Sequence, residues 1–124
     1  MIRAPLEPSL WYATAAPPPD LGPLEESLEA DVCIIGAGYT GLSTALHLAQ
    51  DGTRVVVLEA EQVGYGGSGR NAGHCTPTFH FYSIPKVREM VGEPQASRLI
   101  ERQANAANLV NALVQRYSID CEWR

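Results

Sequence analysis

The sequence is short of basic residues, of paired cysteines and of long apolar runs, and each shortage removes a class of function. Nine Lys and Arg stand against fourteen Asp and Glu, for a net charge of −5. A general nucleic-acid binder carries a basic stripe, so no nucleic-acid partner is expected. A local anion site stays open, because a few backbone N–H groups and one arginine suffice to build it. Cys33, Cys75 and Cys121 lie far apart without Cys-x-x-Cys or Cys/His ligand spacing, which points away from a zinc site and from a disulfide framework. Three thiols, one of them inside an apolar run, read as reduced cysteines in a cytoplasm. The opening MIRAPLEPSLWYATAAPPPD has no continuous apolar core of the kind a secretory signal needs. The most apolar stretch, Val32 to Leu48, is broken by three glycines, a tyrosine and a histidine, so no membrane span is predicted. The expectation is a soluble, cytoplasmic protein.

What is present is organised along the chain. The 124 residues, 45% of them hydrophobic, suit one globular domain. Residues 1–30 hold Pro5, Pro8, Pro17, Pro18, Pro19 and Pro23, six of the nine prolines. That content predicts an extended arm, with Trp11 and Tyr12 pinning it to the domain surface. The domain proper is expected over 31–124. Val32 to Ile35 is an apolar run leading straight into glycine, as a buried parallel strand does. Leu42, Ala45, Leu46, Leu48 and Ala49 follow at helical spacing, and Gly52 stands where a helix-ending glycine belongs. Val55 to Leu58 is a second apolar run. Strand, helix and strand within about thirty residues make one βαβ unit. Further on, Ser83 to Met90 reads as a short helix stopped by Gly92. A long helix follows from Pro94, with Ala96, Leu99, Ile100, Ala107, Val110, Leu113, Val114 and Tyr117 on one face and Pro94 in its first turn. The closing SIDCEWR begins like a strand. Phe79 to Ser83 receives no assignment.

The first chemical signal is Gly36-Ala37-Gly38-Tyr39-Thr40-Gly41, a G-x-G-x-x-G directly after a strand and opening a helix. The first glycine permits the tight turn, the second admits a pyrophosphate to the backbone, and the third lets helix and strand pack closely. The helix N-terminus offers free N–H groups and partial positive charge to the phosphates. Glu59 closes the second strand eighteen positions after Gly41, where an acid accepts hydrogen bonds from a ribose diol. The same acid disfavours NADP, whose 2′-phosphate would meet a like charge. Alone the hexapeptide is weak; with both strands, the helix and the acid it predicts dinucleotide binding.

The second signal is GYGGSGRNAGHC at 64–75, with five glycines. Glycine costs about 0.5–1 kcal/mol against alanine in regular structure, so the cluster needs a reason. Ser68, Gly69, Arg70, Asn71 and Gly73 offer hydroxyl, amide and bare backbone donors, and a guanidinium that pairs bidentately with phosphate. Such a loop can wrap a pyrophosphate and approach a flat ring system. A nicotinamide dehydrogenase has no need of it so soon after Glu59.

ADVCIIGAGYTGLSTALHLAQDGTRVVVLEAEQVGYGGSGRNAGH resembles the N-terminal FAD-binding segment of the D-amino-acid-oxidase-type flavoproteins. The Pro-rich arm with its Trp/Tyr pair makes it similar to the gamma-glutamylputrescine oxidoreductase branch, over about residues 10–124. The resemblance implies a Rossmann-like α/β domain, the βαβ start of a parallel sheet, present here in part. It implies that Gly36, Gly38 and Gly41 hold the FAD pyrophosphate, that Glu59 holds the adenosine ribose, and that Ser68, Arg70 and Asn71 line the cofactor. The sequence departs from the pattern at Gly67, where the family often has alanine, and at His74-Cys75, where relatives often carry glutamine. Some relatives attach flavin through a histidine in this region, which makes His74 a candidate beside the blander reading of a polar loop residue. His47 reads as structural or solvent-facing.

A parallel sheet is normally covered on both faces and has more than two strands. Only two are legible here, and family members run to several hundred residues. The expectation is therefore the N-terminal piece of an enzyme that oxidises the C–N bond of a small amine or amino acid. Hydride passes to flavin, and the resulting imine is hydrolysed. No residue present is assigned a catalytic role. A dinucleotide-binding remnant without turnover and an NAD-dependent dehydrogenase fragment stay open as alternatives.

Overall fold

The computed structural model describes residues 9–17 and 19–121. The chain divides into two compact units, one running to Ala72 and the other starting at Gly73.

The first unit begins with a helix, α1 (Leu10–Thr14), where the proline content predicted only extended chain. The cause is local. Ser9 is extended at φ −131° and its Oγ accepts the Tyr12 N–H, which satisfies one of the donors that a helix start leaves orphaned. LWYATAA then runs free of proline for seven residues, room for nearly two turns. Residues 19–31 form neither helix nor strand.

The predicted βαβ unit follows as β1 (Val32–Ile35), α2 (Tyr39–Gln50) and β2 (Val55–Leu58). The strands pair in parallel, Val32 opposite Val55 through Ile35 opposite Leu58. Their starts are stapled by Asp31 and Arg54. The Asp31 carboxylate accepts the Arg54 backbone N–H at 2.9 Å and its guanidinium at 2.8 Å. The Asp31 N–H in turn donates to the Arg54 carbonyl at 2.8 Å. Gly52 ends α2 at φ +83°, as expected.

Burial differs from the expectation of a strand buried on both faces. β1 alternates, with Val32 and Ile34 half-buried and Cys33 and Ile35 exposed, Ile35 to 78%. Side chains of a strand point alternately to its two sides. Ile34 faces α2, since a Cβ on Gly41 of that helix would lie 3.3 Å from its Cγ2. Cys33 and Ile35 therefore occupy the opposite face.

The second unit is a helix pair, α3 (Ile84–Val91) and α4 (Gln95–Tyr117). Ser83 caps α3 through its Oγ, and Gly92 ends it at φ +67°. Pro94 stands at the N-cap of α4 and not within its first turn. Because proline has no side-chain acceptor, Glu93 serves instead, taking the Ser97 N–H on Oε2 at 3.2 Å while pairing with Arg88. The apolar stripe of α4 is narrower than predicted. Ala96 and Val114 are buried, Ile100, Ala107, Val110 and Leu113 half-buried, and Leu99 and Tyr117 exposed. Gln103 belongs to this stripe, and its Nε2 donates to the carbonyls of Thr76 and Thr78 at 3.2 and 3.1 Å. Ser118 closes α4 in the left-handed region at φ 49°. Residues 118–121 form no strand, contrary to expectation, and the last three residues of SIDCEWR lie outside the described ones.

Candidate functional site

The first glycine turn is built from backbone bonds and the absence of side chains. Gly36, at φ +100°, donates its N–H to the Leu58 carbonyl at 2.7 Å, carrying the strand ladder into the turn. Gly38 is the N-cap of α2 and has no side chain to cap with. A Cβ on Gly41 would collide with the Gly36 carbonyl oxygen, so the helix can sit this close to the strand end only with glycine there. Ala37 is buried between them, 2% exposed. The Thr40 side chain is exposed, and its carbonyl accepts the Thr44 hydroxyl at 2.7 Å.

Glu59 closes β2 and turns its carboxylate onto this turn. Oε2 accepts the Ala37 N–H at 2.7 Å and Oε1 the Glu61 N–H at 3.1 Å. Those bonds, Ala37's foremost, hold its carboxyl below the ordinary glutamate value. Each carboxylate oxygen keeps a second lone pair, so hydroxyl donors of a ligand can still be accepted.

The second turn docks on the first. It contains a short 3₁₀ turn, Gly67–Gly69, which places Ser68 at the start of α2. There the Ser68 Oγ accepts the Tyr39 N–H at 2.9 Å, supplying from another segment the cap that Gly38 lacks. A Cβ on Gly38 would stand 2.9 Å from that hydroxyl oxygen. The Gly64 N–H donates to the Ala37 carbonyl at 2.9 Å. Asn71 ties the turn together, its Nδ2 donating to the Ser68 carbonyl at 2.6 Å, the Gly67 carbonyl at 3.2 Å and the Tyr39 hydroxyl at 3.3 Å. Arg70 is exposed, its guanidinium 4.7 Å above the Tyr65 ring.

The predicted residues Gly36 to Gly41, Glu59 and Ser68 to Asn71 thus come together in the first unit, whereas Gly73, at φ +72°, opens the second. His74 and His47 are exposed. Beside the turns runs an open cleft of about 830 Å³, with Leu21, Leu24, Ala37, Leu42 and Glu59 among its lining residues. Tyr65 was missed by sequence reading, although an aromatic five residues before a loop arginine is a recognisable stacking partner. The contribution of α1 to the second turn was missed as well. The Ser9 Oγ donates to the Gly69 carbonyl at 3.0 Å and the Trp11 Nε1 to the Asn71 carbonyl at 2.6 Å. No group of metal-ligating side chains occurs among the described residues, and no helix there is long and apolar enough to cross a membrane.

The arrangement fits a dinucleotide: two bare turns, donors at a helix start, and an ionised acid at the end of the second strand. No solved structure matches the chain. Among curated relatives it is 42% identical to gamma-glutamylputrescine oxidoreductase of Escherichia coli (strain K12), over 82% of this chain and 24% of that protein. It is 40% identical to the probable oxidoreductase OrdL of Haemophilus influenzae, over 82% of this chain and 23% of the relative. A second OrdL, from Rhizobium meliloti, is 35% identical over 98% and 28%. The chain spans about a quarter of the length of these relatives. Residues 31–124 match the DAO family of FAD-dependent oxidoreductases, and the chain belongs to that family, with its Rossmann-like fold and FAD as cofactor.

Proposed function

We propose that this chain forms the FAD-binding segment of an oxidoreductase acting on the C–N bond of a small amine or amino acid. The observation that carries the FAD assignment to particular residues is the docking of the second turn on the start of α2 through Ser68. It joins the two glycine turns into one wall of donors and bare backbone. Bound FAD supplies the hydride acceptor for the amine carbon. The residues of this chain bind and orient it. The turn Gly36, Ala37, Gly38, Tyr39, Thr40 and Gly41 receives the pyrophosphate at the positive end of α2. Glu59, ionised and already fixed by two backbone N–H groups, accepts from the ribose hydroxyls. Ser68, Gly69, Arg70 and Asn71 line the cofactor from the second turn, where Arg70 would leave Tyr65 for phosphate oxygen. The amine preference rests on the similarity to gamma-glutamylputrescine oxidoreductase.

The natural gene product, purified whole with its flavin and exposed anaerobically to a panel of amines and amino acids, tests this reading. Bleaching of the flavin absorbance by a member of the panel supports amine oxidation. A yellow protein that no amine or amino acid bleaches contradicts it and leaves cofactor binding without this turnover.

A further inference from the structure

Helix α1 lies about sixty residues before the second glycine turn in sequence, yet its polar contacts converge on that turn. Ser9 donates to the carbonyl of Gly69 and Trp11 to that of Asn71. The Tyr12 ring fills the space beside Gly69, where a Cβ would lie 2.7 Å from its hydroxyl oxygen and 2.9 Å from Cζ. We infer that α1 is a latch that holds the second turn in its cofactor-binding shape, with Ser9, Trp11 and Tyr12 as positioning residues for FAD. The inference rests on the assignment of the 64–71 turn to the cofactor.

A turn with four glycines between 64 and 69 has little shape of its own, because glycine visits both halves of backbone space freely. Here its carbonyls are tied down one after another by side-chain donors. Asn71 holds those of Gly67 and Ser68, and α1 holds those of Gly69 and Asn71. With these four carbonyls occupied, the exposed polarity of the turn shifts toward its donors, the polarity an anionic cofactor requires. The latch also reaches the first turn. Trp11 fixes the backbone of Asn71, whose side chain contacts Tyr39, while Ser68 of the same turn caps the Tyr39 N–H. An arm held only by ring burial would not need an indole N–H and a serine hydroxyl aimed at carbonyls of one loop.

The test uses the natural gene product whole. Trp11→Phe keeps a ring and removes the donor; Ser9→Ala removes the hydroxyl, and Ser9→Thr restores it together with the cap of α1. FAD affinity is read from flavin fluorescence, with the visible spectrum of bound flavin and the apoprotein unfolding midpoint measured in parallel. The loss of one hydrogen bond predicts about fivefold to tenfold weaker FAD binding for Trp11→Phe. A shifted flavin spectrum and a nearly unchanged apoprotein midpoint should accompany it. Ser9→Ala should act in the same direction and Ser9→Thr should recover. Wild-type affinity and spectrum in Trp11→Phe and Ser9→Ala, with binding lost in Gly38→Ala, would overturn the latch and leave the cofactor site standing. A loss of affinity matched by an equal loss of apoprotein stability would reduce α1 to a structural prop. Unchanged binding in Gly38→Ala as well would remove the cofactor reading beneath the latch.

Discussion

The two units of this chain are held together in different ways. The second is a helix pair with an ordinary apolar seam: Val87, Ala96 and Val114 are the buried residues among its described ones, and charges decorate the outside. The first buries only Ala37 among its described residues, and depends on directed bonds between backbone and side chains 22 to 60 positions apart. Apolar packing is tolerant of approximate fit, whereas a bond to one carbonyl is not. The first unit therefore places its polar surface by directed bonds, while one face of β1, with Cys33 and Ile35, stays exposed in a chain that spans about a quarter of its relatives' length. The second follows helical periodicity.

The comparison predicts that substitutions in the first unit act on ligand binding and those in the second on stability. The largest effect is expected at Gly41. Its replacement by alanine drives a methyl into the Gly36 carbonyl and should separate α2 from β1. The expected cost is about 3 kcal/mol in chemical denaturation together with loss of FAD binding. Wild-type affinity in Gly41→Ala would mean that the close approach of helix and strand is unimportant. Next comes Ala96→Leu in the seam of the second unit, where the residue is fully buried. Overpacking should cost about 1–3 kcal/mol in the same assay, and FAD affinity should hold. A comparable fall in affinity would break the distinction between the units.

Smallest is a pH effect. The folded carboxyl of Glu59 lies below its ordinary value because backbone N–H groups favour its charged form. Its contribution is therefore complete above the unfolded value of about 4.3, and is lost as the pH falls through the depressed folded value. Since the side chain is largely exposed, the effect is screened and small. Unfolding midpoints of wild type and Glu59→Gln should differ most near neutral pH and converge in acid. Parallel curves would mean that the Ala37 bond contributes nothing through charge.

Much of this was legible in the sequence, for reasons that differ between elements. Val32 to Ile35, Val55 to Leu58 and the glycines at 36, 38 and 41 announce a βαβ unit because apolar runs and turn residues are local signals. Gly52 and Gly92 mark helix ends in the same way. Long-range polar partnerships have no such period. Nothing in the order of residues pairs Ser68 with the Tyr39 N–H or aims Glu59 at Ala37, and both appear only once the chain has folded back. Helix α1 was obscured by the prolines around it, although Ser9 before an apolar stretch is a cap signal that outweighs them over one turn. Gln103 was passed over because an amide among Ala, Ile and Val breaks the apolar pattern. Its partners are carbonyls of a segment more than twenty residues earlier. The exposure of Ile35 shows that strand hydrophobicity reports a capacity for burial, while actual burial depends on what covers the face.

The most direct measurement is a titration of the natural gene product with FAD, wild type against Gly38→Ala. The alanine methyl meets only the movable Ser68 hydroxyl, so the fold should survive while the donor wall is disturbed. The account predicts a yellow one-to-one complex for wild type and loss of binding for a folded Gly38→Ala protein. Equal FAD affinity in the two proteins would contradict it, and would place the cofactor away from the paired glycine turns.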